Sequence, residues 1–316
     1  MGDIVIEGKS EPTNFTFREC ESNYPSLTHK DKRERWLKWG HAARTIAFRL
    51  SMLQGGRDPG GKSGDGQAFL LDLFNCPAFQ SNLSPLSVKG APVPFKGPVS
   101  RVHAQRLSVT ATSLNFFDAL IPSVLGVASK HELQKGGEVC ASSEEGGSIV
   151  WIKKRAEESW EGIAICDSLR EALILPPLGD PEGQDPSGSA EALILPNRFG
   201  DLYSMEERRE FLFRAARWVV GGGAMCQYED EWTPYAAAVR DIARDFLTVV
   251  KGATGGVSVA TQVWQVGGVE WGEEKCEGLK GGGLFPLESP HNVCWIFADP
   301  VHRVVHVFHS SFVPFW

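Results

Sequence analysis

The stretch Val293-Cys294-Trp295-Ile296-Phe297-Ala298-Asp299-Pro300-Val301-His302-Arg303-Val304-Val305-His306-Val307-Phe308 decides the fold. Its two arms, 293–298 and 303–308, are dense in β-branched and aromatic residues, which suit a pleated, half-buried surface. Asp299-Pro300 between them is turn chemistry: proline presets φ and has no N–H for a sheet ladder. Together they read as a β-hairpin. Upstream, 257–266 reads as another strand, separated from the hairpin by a Gly-rich loop at about 267–290. Two helices precede these strands. In the first, 204–220, Phe211, Leu212, Phe213, Ala215, Ala216, Trp218 and Val219 wrap most of the circumference, so it should be deeply buried. Ser204 caps it and Gly221-Gly222-Gly223 ends it. The second, 234–250, lines Val239, Ile242, Ala243, Phe246 and Val250 along one face and Arg240, Asp241, Arg244 and Asp245 along the other. Helices followed by strands indicate the α+β class: helices packed on an antiparallel sheet, a C-terminal helix–helix–strand–hairpin unit, and Gly/Pro-rich loop insertions.

The N-terminal half reads less clearly. Phe15 and Phe17 alternate with polar residues, as in a short strand. Thr28 opens a helix on which Trp36, Trp39, Ala43, Ile46, Ala47 and Leu50 recur at three- and four-residue spacing, ending by Gly55-Gly56. Residues 55–66 are a Gly-rich loop, 67–74 a second helix stopped by Pro77, and 148–153 a strand. The hexapeptide Glu171-Ala172-Leu173-Ile174-Leu175-Pro176 recurs at 191–196; two copies do not make a solenoid. The expected division is an N-terminal α+β part at 1–176, a flexible loop or linker at 177–200, and a C-terminal α+β part at 201–316, unless the chain is one continuous domain.

Composition bounds the function. The 316 residues carry a formal net charge of −7, and the longest basic cluster, Lys30 to Lys38, is interrupted by Asp31 and Glu34. No nucleic-acid partner is therefore expected. No apolar run reaches the roughly 18 residues of a membrane helix, so no membrane insertion is expected. The N-terminus lacks a cationic-then-apolar pattern, so no signal peptide is expected. The seven cysteines are widely spaced, without a Cys-x-x-Cys pair, which is the usage of a reduced compartment.

Four constellations could carry chemistry. Gly56-Arg57-Asp58-Pro59-Gly60-Gly61-Lys62-Ser63 fits the P-loop pattern, but the preceding segment reads as a helix and Gly64-Asp65-Gly66 is a poor helix start. A nucleotide-binding protein using this loop is the alternative function. His302 and His306 share a strand face while His309 points away, which leaves a metal site short of a third ligand. Cys226 has no local nucleophile signature. The segment Gln227, Tyr228, Glu229, Asp230, Glu231, Trp232 and Tyr235 mixes aromatic anchors with acidic residues, as a partner-binding rim does. The same carboxylates would also complement the dipole of the helix that follows. The expectation is a non-enzymatic protein with no cofactor, metal or catalytic residue, whose protein-binding residues are Gln227, Tyr228, Glu229, Asp230, Trp232 and Tyr235.

The blocks Arg209-Glu210-Phe211-Leu212-Phe213, Gly222-Gly223-Ala224-Met225-Cys226-Gln227-Tyr228-Glu229-Asp230 and Pro234-Tyr235 resemble those of the cilia- and flagella-associated protein 300 family. So does the closing hairpin with Ala298-Asp299-Pro300, Arg303 and His306-Val307-Phe308-His309. The N-terminal half is similar more loosely, at Phe15 to Arg18, 36–48, 69–74, Phe116-Phe117 and 166–175. The insertions at about 55–66, 177–200 and 267–287 depart from the family's pattern, and the P-loop-like octet falls in one of them. The resemblance implies a factor for assembly or transport of outer and inner axonemal dynein arms. It implies residence in cytoplasm and cilium or flagellum, and movement with intraflagellar transport. The implied partners are a kintoun-like PIH-domain assembly factor, dynein subunits and the transport machinery. A structural axonemal component is a further alternative.

Overall fold

The computed structural model describes residues 15–52, 65–87, 89–95, 97–128, 149–177, 197–223, 226–252, 255–271 and 283–313. The octet at 56–63, most of the expected linker at 177–200, the second hexapeptide copy and Cys140 and Cys276 lie outside them. In chain order the elements are β1 (Phe15–Glu19), α1 (Pro25–Thr28), α2 (Lys30–Lys38), β2 (Ala43–Met52), α3 (Asp65–Phe74), α4 (Pro77–Asn82) and β3 (Val99–Leu107). Then come α5 (Leu120–Ser123), β4 (Leu125–Ala128), β5 (Ile149–Ile152), β6 (Lys154–Trp160), β7 (Ile163–Asp167) and α6 (Ser168–Ile174). Last are α7 (Phe211–Gly221), α8 (Thr233–Phe246), β8 (Val249–Lys251), β9 (Val257–Val259), β10 (Gln262–Trp271), β11 (Val293–Asp299) and β12 (Val304–Ser310). The architecture is α+β, as the closing hairpin indicated.

The chain forms two compact units. The first comprises 1–112, 223–226 and 242–316, the second 113–222 and 227–241. The first unit is built on a six-stranded sheet in the order β1-β2-β12-β11-β10-β3. Every pairing in it is antiparallel. Both chain ends supply it, so its strands come from before and after the 177–200 stretch. The hairpin pairs Val293 with Ser310 and Asp299 with Val304. Every residue of β11 is buried, which places it in the middle of the sheet with both faces covered. On one face Ile296, Val307 and Phe48 join Phe69, Leu73 and Phe74 of α3 and Phe79 of α4 in the main core. On the other, Phe246 stacks on Phe297 at 4.7 Å and on Tyr24 at 4.9 Å. Each such fully buried phenylalanine contributes roughly 1.5–3 kcal/mol relative to an exposed one.

The structure corrects several expected boundaries. Residues 43–52 are a strand, and the helix expected to open at Thr28 and run beyond Leu50 is two short ones, α1 ending at Thr28 and α2 running from Lys30 to Lys38. Gly40 at φ 72 breaks it, in the left-handed region that glycine enters freely. Beyond it, Ile46, Phe48 and Leu50 alternate toward the main core, and this two-residue period prevails over the helical stripe because β1 and β12 pair with both edges. The P-loop-like octet is therefore preceded by a strand, not a helix. That strand is antiparallel to both neighbours, unlike the parallel strands on which dinucleotide and phosphate sites open. The helix expected to begin at Ser204 begins at Phe211. Ser204 does form a capping box with Glu207, at 2.8 and 3.2 Å, but opens a 3-10 turn, Glu207–Arg209. The next helix ends at Phe246 rather than Val250, because Val249 and Val250 pair in register with Val259 and Ser258. The strand expected at 257–266 is two strands, parted at Ala260-Thr261.

His302 does not share a strand face with His306. It lies in the turn after β11, where the Asp299 carboxylate accepts its Nδ1–H at 2.6 Å, its backbone N–H at 3.1 Å and that of Val301 at 2.8 Å. His306 and His309 do point to opposite faces. His306 meets the Tyr24 hydroxyl at 3.0 Å, and His309 stacks on Phe285 at 5.5 Å. Burial, helped by the Arg44 charge, pushes His309 down to about 4 from an ordinary 6.5. The depressed value means that the folded state holds it neutral. Stability is then full above pH 6.5 and falls as pH drops toward 4, by about 2 kcal/mol at pH 5. Urea unfolding at pH 7 and pH 5 should show that loss, and His309→Gln should remove most of the difference. An unchanged pH dependence in the variant would assign it elsewhere.

Candidate functional site

The segment that the sequence marked for binding lies in the second unit, and α6 organises it. Asp167 caps α6, its carboxylate accepting the Arg170 backbone N–H at 2.9 Å. It also pairs with the Arg170 guanidinium one turn on, both side chains being wholly buried. Arg170 donates to the Tyr235 hydroxyl at 2.7 Å, and its guanidinium lies 3.5 Å from the Tyr228 ring centroid. Burial alone would lower the Arg170 pKa; the Asp167 carboxylate more than reverses that and holds it above its ordinary value. The Tyr235 hydroxyl in turn accepts the Glu229 backbone N–H at 2.9 Å. The terminal nitrogens of the buried cation are thus paired with a carboxylate and a tyrosine hydroxyl while Tyr228 covers its face, and its Nε makes no hydrogen bond among the described residues.

The neighbouring Glu171, also wholly buried, receives Arg155 at 2.8 Å and Arg198 at 2.6 Å, with the Arg198 backbone N–H at 2.9 Å. Burial would raise its pKa, but the Arg198 hydrogen bonds and the Arg155 charge outweigh that and hold it below the ordinary range. The first hexapeptide copy begins with the last residues of α6, 171–174, all buried, and leaves the helix at Leu175.

Two hydrogen bonds stitch the segment to β5: Ile152 N–H to Asp230 O at 2.7 Å and Trp232 N–H to Val150 O at 3.0 Å. Trp232 is buried against Phe117, ring centroids 5.3 Å apart. Tyr235 is wholly buried and Tyr228 half-buried. The aromatic residues therefore face inward and fix the backbone. Gln227, Asp230 and Glu231 are exposed and Glu229 is half-exposed. Asp230 meets Lys154 at 2.5 Å, both exposed. No acidic residue stands within the first turn of α8; Glu229, Asp230 and Glu231 lie just ahead of it. What the segment presents is an acidic rim on a rigid base.

Sequence reasoning missed two residues here. Trp151 pairs with Glu231 and is 41% exposed, a large apolar side chain beside the acidic rim. Its signal was an indole on the outward-facing position of a short strand. Arg170 is the other; an arginine inside the apolar run Ile165 to Leu175 was the available cue. Among the described residues no group of three or more His, Cys, Asp or Glu could hold a metal ion. Cys20, Cys76, Cys166 and Cys294 are free thiols.

A family model described as cilia- and flagella-associated protein 300 matches residues 14–178 and 197–310. A Chlamydomonas reinhardtii protein of that name is 28% identical over 252 residues, covering 79% of this chain and 81% of its own. A Paramecium tetraurelia protein of the same name is 23% identical over 316 residues, covering 99% of this chain and 100% of its own. No solved structure matches the chain.

Proposed function

Since the chain belongs to the cilia- and flagella-associated protein 300 family, we propose that it is a non-enzymatic protein of the cilium or flagellum, needed for assembly or transport of outer and inner axonemal dynein arms. In this reading it is an adaptor that takes up its cargo in the cytoplasm and travels with intraflagellar transport. Its partners are a kintoun-like PIH-domain assembly factor and dynein subunits. The observation that carries an adaptor role is the rim at Gln227, Asp230 and Glu231. Its backbone is held by Arg170, Tyr228, Trp232 and Tyr235, while its carboxylates and the adjoining Trp151 face outward. A preorganised polar rim beside an exposed aromatic loses little entropy on association.

Asp230→Lys with Glu231→Lys tests it. Both side chains are exposed, so the melting temperature should stay within a degree or two, the usual effect of surface changes. Co-precipitation of the PIH-domain factor and dynein chains should fall about tenfold. Unaltered co-precipitation with an unaltered melt would remove the rim from the binding surface.

A further inference from the structure

The second unit holds a cleft of about 260 Å³ whose lining is strongly basic in a chain that is acidic overall. Arg208, Arg209, Arg214 and Arg217 line it, and Glu161 is the one carboxylate among its described lining residues. The 3-10 turn at 207–209 supplies the first pair. α7 supplies the second, three residues apart and so on one helix face. Arg208 is 7% exposed and builds the wall: its guanidinium donates to the carbonyls of Gly200 at 3.1 Å and Tyr203 at 3.2 Å. Arg217 lies 5.9 Å over the Trp160 ring. The Arg209 Nε is buried and makes no hydrogen bond among the described residues, an uncommon state for a buried donor. Phe213, Met205 and Pro177 supply apolar wall between the cations.

We propose that this cleft binds the carboxylate side chains of an acidic peptide segment in a partner protein. Guanidinium forks match carboxylates two bonds at a time, which is how arginine clusters read acidic motifs. The volume lies below the roughly 300–1,000 Å³ of small-molecule sites, so the cleft admits one or two side chains rather than a nucleotide. The apolar wall accepts the methylene stems. Glu161 at the margin opposes a doubly charged phosphate more than a single carboxylate. This surface is separate from the acidic rim, and its test needs no ciliary protein.

The probe is a short fluorescent peptide of repeating Glu-Glu-Leu, titrated with the full chain at low ionic strength and read by anisotropy. Binding should weaken with added salt and vanish when Gln replaces Glu in the peptide. Arg209→Ala with Arg217→Ala should weaken it about tenfold. A second variant guards against misfolding. Glu161 sits at φ 48 in the tight turn before Gly162, a conformation that asparagine tolerates better. Glu161→Asn therefore keeps the turn, removes the opposing charge and should tighten binding roughly threefold. Equal binding of the Gln peptide, indifference to both variants, or no binding at all would overturn the proposal. So would strong preference for a phosphoserine version of the peptide. Self-association lost in the double variant would put a second copy of this chain in the cleft and overturn it as well.

Discussion

Asp167→Ala is expected to cost about 3–5 kcal/mol of stability, because it strands the Arg170 guanidinium in a wholly buried site. The change also removes the cap of α6, worth about 1 kcal/mol. Tyr228 and Tyr235 remain, but a ring face and a hydroxyl cannot neutralise a buried cation. Adding Arg170→Met should restore a good part of the loss, since a buried ion pair replaced by apolar atoms of similar volume is often neutral. Urea unfolding of the single and double variants, followed by circular dichroism, measures both. A double variant no better than Asp167→Ala would mean that the pair is not what holds α6. The same single change should loosen the 227–231 backbone, because Arg170 orders Tyr228 and Tyr235. Faster amide exchange at Glu229 is the local sign.

The second large effect concerns two glycines of the 221–223 run that behave differently. Gly223 donates its N–H to the Trp39 carbonyl at 2.8 Å. A Cβ there would stand 2.0 Å from the Gly40 carbonyl oxygen and 2.6 Å from its carbon. Both are backbone atoms, so no side-chain rotation relieves the clash. Gly223→Ala should cost about 3 kcal/mol or more, in line with severe overpacking. Gly221, in contrast, lies within α7, where a Cβ would meet the Ile163 and Ile174 methyls at 3.7 and 3.8 Å. That is ordinary contact, and Gly221→Ala should stabilise by about 0.5–1 kcal/mol through helix propensity. Thermal melts of the two variants should shift in opposite directions. A shift of the same sign in both would show that the approach to Gly40 relaxes.

Only some of this was legible in the sequence, and the reason differs by element. The 293–310 hairpin and the 65–74 helix were readable because their periods and turn residues are local and agree with each other. Residues 36–52 carry both a helical stripe and a two-residue alternation, and pairing with β12, far along the chain, selects the second. Val250 leaves its helix because it pairs with Ser258, eight residues on, and Ser204 caps a 3-10 turn rather than the helix because its partner Glu207 lies in that turn. At the site, the composition of 227–235 was visible but its orientation was not. The contacts that turn Trp232 and Tyr235 inward come from Phe117 and Arg170, which no spacing rule links to them. The arginine cleft escaped notice for the same reason: 204–220 read as one deeply buried helix, and the end of α6 and the β6–β7 turn that complete the cleft are remote from it in sequence.

The place of β12 between β2 and β11 has a kinetic consequence. Phe48 waits for Val305 before its strand acquires a second neighbour. At ~5–20 residues per second, the ribosome supplies that neighbour roughly 10–50 s after β2 emerges. During this interval the second edge of β2 has no strand partner, although α3 and α4 can already cover its apolar face, and pairing across so long a separation is intrinsically slow. An unpaired edge of that kind is a template for pairing with other chains until β12 arrives. A stop codon just before Val304 removes little mass, but it leaves the sheet split into two fragments, each with a raw edge.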